Sequence, residues 1–201
     1  YSSQTSFIIA FKKKFNQTPK FWRNGGFKIY SENLTKMTNL SLEEKFDYSK
    51  IEVKIKKVKE FEVYYILQKG YFFDESLNNW RKLHACVLAN NITNYLNIGI
   101  FYSNPSITKT ENCFYATSIA PKDLKEEIDL NLIKMNLSGG LYACFDMEGK
   151  YGDSLSLIKW LYQTWLPTSG FEATTKPAYT IYHNNPIFDR KNNPYMSYEE
   201  A

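Results

Sequence analysis

The groups that most often carry catalysis are scattered in this chain. Cys86, Cys113 and Cys144 lie far apart, without the spacing of a metal set, and read as buried thiols of a reducing compartment. His84 falls on the apolar face of an expected helix and is read as structural. His183 falls in an expected turn and is read as solvent-facing. Neither has a second histidine or a carboxylate at ligand spacing, so no metal and no cofactor are expected. The patterned groups are aromatic and basic. Phe, Trp and Tyr make up 17% of the 201 residues, enough to line a pocket as well as fill a core. Lys12, Lys13, Lys14, Lys20, Arg23 and Lys28 come before the first acid, Glu32, and form a footprint suited to phosphate. The net charge of +4 is too mild to imply nucleic acid by itself.

The elements that must position these groups are clearest in residues 137–186. The order is a strand, a Gly149-Lys150-Tyr151 turn, an amphipathic helix, a stop, a second strand and an Asn184-Asn185-Pro186 turn. Asp153 or Ser154 caps the helix. Leu155, Ile158, Tyr162 and Trp165 keep helical spacing on one face, and Pro167 and Gly170 stop it. Residues 61–105 repeat the grammar. Gly70 matches Gly149, Ser76-Leu77 matches Ser154-Leu155, Trp80 falls near Trp160, and Asn104-Pro105 matches Asn185-Pro186. On the first helix, Leu77, Trp80, His84 and Val87 make the apolar face.

This degenerate duplication implies an α+β fold. Two strand–helix–strand modules, about 51–120 and 131–201, join into one antiparallel sheet. Helices cover one face, and the other face is left as a ligand groove. Ile51, Val53 and Ile55 alternate with charged residues in a leading, half-buried strand. Residues 113–119 are a further strand, and residues 122–129 are a charged, solvated face. A hydrophobic content of 43% suffices for a core, and no apolar run is long enough to span a bilayer. A cytoplasmic protein without membrane contact is expected.

Before the modules, Ser2 or Ser3 can cap a helix on which Phe7, Ala10, Phe11 and Phe15 keep core spacing. Asn16 ends it in the left-handed conformation, and Pro19 opens a last short helix. This wording, a Ser-rich cap, Phe…Phe-Lys…Phe and then Pro…Trp-Arg over some 23 residues, resembles the end of an AraC-type DNA-binding domain, its second helix-turn-helix. The resemblance implies that the helix beginning near Ser3 enters a major groove. Gln4 and Thr5 would then face bases, Gln suiting adenine. Ile9 stands where relatives often place a polar or basic residue, leaving an apolar contact with a thymine methyl. Lys12, Lys13 and Lys14 would hold phosphates. The first helix-turn-helix of the pair is missing, so residues 1–24 read as a partial reader and the chain as a fragment of a longer regulator. Residues 25–50 read as a linker, with Asn24-Gly25-Gly26 as a break. Ser41 with Glu44 either starts a short helix or lies in disordered chain.

The two modules resemble the GyrI-like small-molecule-binding domain. The wording that carries this is Gly140-Leu141-Tyr142-Ala143-Cys144-Phe145, Glu148-Gly149-Lys150-Tyr151, Trp160-Leu161-Tyr162 with Trp165-Leu166-Pro167, and Ile181-Tyr182 with Asn185-Pro186. The resemblance covers roughly residues 50–201 and implies a groove between modules that takes hydrophobic, often cationic, ligands. Strand parity, with Tyr179 and Ile181 on the helices, sends Ala178, Thr180 and Tyr182 into the groove opposite Gly99 and Phe101. Tyr151 and Trp165 sit at its mouth, and Tyr65 and Cys144 extend its wall.

Relatives carry a Glu two residues before the Tyr of the Ile-Tyr strand; here that place is Thr180. Glu62 and Glu148 are the nearest substitutes in the pattern. A neutral or weakly polar aromatic ligand is therefore expected in place of a cation. Relatives also close the second module with one more strand. This chain reaches Tyr198-Glu199-Glu200-Ala201 where that strand would begin, leaving residues 113–119 without a counterpart. The leading reading is a non-enzymatic ligand-sensing regulator that partners DNA in its full-length form. A small-molecule hydrolase using the same groove and a protein-interaction module are the alternatives.

Overall fold

A computed structural model describes residues 3–37, 48, 51–122, 130–149, 153–183 and 196–200. The helices come first. Ser3 caps α1 (Gln4–Phe15), its hydroxyl accepting from the Ser6 amide at 3.1 Å. Asn16 ends the helix at φ 53°, its N–H returning to the Lys12 carbonyl at 2.8 Å. Thr18 caps α2 (Pro19–Phe21), with Pro19 where a proline costs no helical bond.

The expected break at Asn24-Gly25-Gly26 is present: Asn24 and Gly25 leave helical geometry, Gly25 at φ 99°. A new helix, α3 (Phe27–Met37), starts directly after this kink, so the first part of the expected linker is helical. Trp22 explains this. It packs on Phe11, Phe15, Phe27 and Tyr30 at centroid distances of 4.5–5.4 Å and holds α3 against α1. The Ser41–Glu44 capping signal lies outside the described residues.

The strands are β1 (Lys54–Val58), β2 (Phe61–Lys69), β3 (Tyr95–Phe101), β4 (Phe114–Pro121), β5 (Lys134–Leu137), β6 (Gly140–Gly149), β7 (Ala178–Tyr182) and β8 (Met196–Glu200). They form one antiparallel sheet in the order β1-β6-β8-β7-β3-β4-β2-β5. The α+β fold and the duplication are confirmed: β2-α4-β3-β4 is answered by β6-α5-β7-β8, with α4 at Phe73–Ala89 and α5 at Asp153–Trp160. The expectation of a missing last strand is overturned. β8 is that strand, an interior one that pairs with both β6 and β7 and answers β4.

The leading strands are exchanged. β1 precedes β2 but pairs with β6, and β5 precedes β6 but pairs with β2. Their connections, Lys59-Glu60 and Ser138-Gly139, pass in contact. A Cβ on Gly139 would lie 2.8 Å from the Glu60 amide nitrogen and 2.9 Å from the Val58 carbonyl, so only glycine fits. This contact joins the connections from the two sheet ends, and the sheet curls.

Curling gives the sheet two apolar faces. On the helix face, Tyr64, Trp80, Leu83, Val87, Ile119, Phe145, Met147, Leu157 and Tyr182 form the main core. Inside the curl, Val63, Ile98, Ile100, Ala116, Ala120, Leu137 and Tyr179 form a second core, flanked by Phe61, Tyr65, Met135 and Tyr142. Each fully buried Val, Leu or Ile side chain among these contributes about 1.5–3 kcal/mol. The helix-free face is thus filled by its own side chains and is not the expected open groove.

α4 is tied to β2 by a buried amide network. Gln68 Nε2 donates to the Ser76 hydroxyl at 2.9 Å, and Asn79 Nδ2 donates to Gln68 Oε1 at 3.0 Å. His84 is buried as expected, its Nε2 2.9 Å from Asn97 Oδ1, and His183 is exposed.

The second-module helix stops at Gly170, within the expected Pro167–Gly170 stop, and absorbs Pro167 on the way. It runs through a π turn, Leu161–Trp165, into α6 (Leu166–Ser169) and ends at Gly170, φ 77°. Pro167 has no N–H to give and its ring crowds the carbonyl four residues back. The hydrogen-bond ladder widens just upstream, where a helix that cannot satisfy that carbonyl admits an extra residue.

Candidate ligand site

The modules meet where β3 pairs with β7, Gly99 opposite Thr180. This pair is the floor of a seam on the helix face. A Cβ on Gly99 would lie 2.4 Å from the Tyr115 hydroxyl and 3.0 Å from Tyr182. Its absence lets the two phenols meet over the floor with their oxygens 3.4 Å apart, one from each module. Trp80 of α4 stands edge-on to Tyr182 at 5.7 Å, and Tyr71 edge-on to Phe101 at 5.8 Å. Ile158, Tyr162 and Ala178 close the other side. Thr180, Tyr182 and Phe101 are all buried, so the floor is packed shut.

At the second-module end the seam opens into a cavity of about 430 Å³. β6 supplies Leu141, Tyr142 and Ala143; the π turn supplies Leu161, Tyr162 and Trp165; the loop after Gly170 supplies Phe171, Glu172 and Lys176. Tyr162 and Ala178 belong to both the seam and the cavity. Trp165 and Phe171 lie nearly parallel, centroids 6.2 Å apart. Leu141 is 71% exposed and Phe171 49%, apolar surface that a bound ring would cover.

The cavity's charges are at its rim. Lys176 donates to the Gly139 carbonyl, and Glu172 is exposed. A solvated carboxylate holds a cation weakly compared with a desolvated one. Burial raises the Tyr162 phenol and, more strongly, that of Tyr71, where Cys113 and Tyr115 add to the effect. Burial also pushes the Cys113 thiol up to about 11, against the Tyr71 hydrogen bond that lowers it. Such a thiol is protonated at neutral pH and is no nucleophile. The three cysteines form no disulfide, and among the described residues no cluster of His, Cys, Asp or Glu is placed to hold a metal. The arrangement can stack and enclose an aromatic molecule.

The expected ligand residues divide. Phe101, Thr180 and Tyr182 come together in the seam, but beside the helices: Tyr182 packs with Trp80 and Leu157, whereas Tyr179 and Ile181 face the inside of the curl. The parity assignment was inverted because both faces are apolar, and alternation cannot say which one meets the helices. Tyr65 and Cys144 are not in the seam. Tyr65 flanks the inner core, and Cys144 follows Tyr142, which meets Tyr179 there at 5.4 Å. Trp165 lines the cavity, and Tyr151 lies outside the described residues. Glu62 pairs with Lys134 at 3.2 Å on the sheet, away from the seam floor. Glu172, Phe171 and Leu141 were missed. The loop signal after Gly170 marked the place but not its inward turn.

On α1, Gln4, Thr5, Lys12, Lys13 and Lys14 are exposed and Ile9 is 63% exposed, while Ser3 spends its hydroxyl on the cap. Phe11 and Phe15 turn toward Trp22, leaving the lysines outward.

The family model for the GyrI-like small-molecule binding domain matches residues 51–198. The chain belongs to the GyrI-like family. Two solved structures share the fold of this GyrI-like chain. The C-terminal domain of EcmrR is 16% identical, with TM-score 0.54, over 75% of this chain and 96% of that one. The EcmrR–DNA complex is 14% identical, with TM-score 0.59, over 96% of this chain and 75% of that one. A hydrolase from Listeria innocua is also similar, 14% identical with TM-score 0.50, over 74% and 89%. No curated protein sequence matches the chain significantly. Among the described residues no helix is long and apolar enough to cross a membrane.

Proposed function

We propose that this GyrI-like chain is the non-enzymatic, ligand-sensing part of an AraC-type transcription regulator and that its ligand is a neutral or weakly polar aromatic molecule. The observation that carries the reading is the cavity of about 430 Å³ between Tyr142, Tyr162, Trp165 and Phe171, a size and lining suited to a small aromatic ligand. Thr180 at the seam floor and the exposed position of Glu172 favour a neutral ligand over a cation. The DNA-facing role of α1, as the recognition helix of a helix-turn-helix, is supported by its cap and its outward lysines. It is supported too by the EcmrR–DNA likeness, which extends over most of the chain.

The test is thermal unfolding with Nile red, a neutral dye, and with rhodamine 6G, a cationic one. A ligand that binds only the folded chain raises the melting temperature with ln(1 + [L]/Kd). Nile red is expected to stabilise the chain more than rhodamine 6G does, and Trp165→Ala to abolish the difference. Stronger stabilisation by rhodamine 6G would overturn the neutral-ligand reading. No shift with either dye would overturn the sensor.

A further inference from the structure

The π turn Leu161–Trp165 has two sides in use. Leu161, Tyr162 and Trp165 line the cavity. Gln163, between them, donates from Nε2 to the Ser31 hydroxyl of α3. One turn earlier, Lys159 lies close enough to Glu32 of α3 to feel its charge. Ser31 and Leu34 are buried on this contact side, while Glu32 and Asn33 between them are exposed. α3 is thus docked on the helix that walls the cavity. Its other side carries Tyr30, which packs on Phe15 at 5.5 Å and on Trp22 at 5.4 Å. Phe15 closes α1, directly after Lys12, Lys13 and Lys14.

We propose, resting on the ligand reading above, that the π turn is the element through which an occupied cavity controls α3 and, through Tyr30 and Trp22, the basic helix α1. Coupling between distant sites needs contiguous packing and an element with two discrete arrangements. The packing runs Trp165 and Tyr162, Gln163, Ser31 and Tyr30, Trp22 and Phe15. The discrete element is the turn itself. It holds one residue more than an α-helical turn, and sliding that bulge by a residue rotates the side chains it passes about the helix axis while the helix on either side keeps its phase. A ring held between Tyr162 and Trp165 favours one placement of the bulge, and only one placement presents Gln163 to Ser31. A ligand shifts the equilibrium by its difference in affinity for the two placements, and the docked α3 biases the cavity by the same amount.

The test is amide hydrogen exchange on the whole 201-residue chain in two arms. Without ligand, Leu34→Asp undocks α3; exchange at Leu161–Trp165 is expected to speed by at least about tenfold, equivalent to about 1.4 kcal/mol of opening. Unchanged exchange there, with α3 itself deprotected, overturns the coupling. With Nile red at saturation, exchange at residues 31–34 is expected to change by a similar factor, and Gln163→Ala is expected to remove that change while the dye stays bound. Bound dye with no change at residues 31–34 overturns the coupling. A failure of the dye to bind refutes the ligand reading alone, and the first arm still decides the coupling.

Discussion

The two modules are copies in grammar and opposites in mechanics. In the first, α4 runs 17 residues without a bulge, and the Gln68–Ser76–Asn79 network and the fully buried Trp80 lock it to the sheet. In the second, the corresponding helix is broken after eight residues by the π turn that Pro167 imposes. The cavity lies beside that turn, and α3 docks on it. The difference teaches that duplication let one copy carry stability while the other kept an irregular helix and unfilled space. Binding sites are drawn from the less stable end of a structure for this reason.

The largest effect that separates the modules is at the tryptophans. Trp80→Ala is expected to cost about 3–5 kcal/mol, as for a large ring removed from a core. Trp165→Ala is expected to cost about 1 kcal/mol, because the ring is only partly buried. Urea unfolding of both variants checks the ratio, and equal losses would break the comparison. Next is Asn79→Leu, which leaves Gln68 Oε1 buried without its donor. A loss of about 1–3 kcal/mol is expected, with Nile red affinity unchanged.

Pro167→Ala sharpens the comparison from the other side. Restoring the missing donor lets the turn tighten toward an α-helix, and the cavity narrows with it. Nile red affinity is expected to fall about tenfold, or about 1.4 kcal/mol, while the melting temperature moves by only a few degrees. Fluorescence titration and calorimetry read the two quantities.

The smallest effect is in pH dependence. Burial holds the His84 imidazole below its usual 6.5, against the Asn97 hydrogen bond that raises it. The unfolded chain therefore binds a proton that the folded chain refuses. The contribution of His84 is full above about pH 6.5 and is lost as pH falls through the lowered folded value. Denaturant melts at pH 7 and pH 5 are expected to differ less in His84→Gln than in the parent chain.

Much of the fold was legible because its signals are local and redundant. The Ser3 and Asn16 caps, the turn at Asn104-Pro105 and the repeated strand–helix–strand order each point one way and agree with one another. The site was less legible because it depends on which face of a curled sheet meets the helices. The alternation at residues 178–182 sorts Tyr179 from Tyr182 without saying which is outside. α3 was missed because the break at Asn24-Gly25, though real, was read as the start of a linker, whereas Trp22 packing on Phe27 and Tyr30 restarts a helix directly after it. Of the Pro167–Gly170 stop only Gly170 ends the helix, because a helix with tertiary contacts on both sides can absorb a proline as a π turn. The exchange of β1 and β5 leaves only one local trace, the contact that Gly139 makes possible, and no spacing rule reads it.

The most direct test of the claim that the second module holds the ligand is fluorine NMR of the chain labelled with 5-fluorotryptophan. Resonances are assigned by single Trp→Phe changes and titrated with Nile red. The Trp165 resonance is expected to shift in a saturable way while Trp80, in the closed core, stays in place. A shift at Trp80 with Trp165 unmoved would contradict the account and place the ligand in the first module.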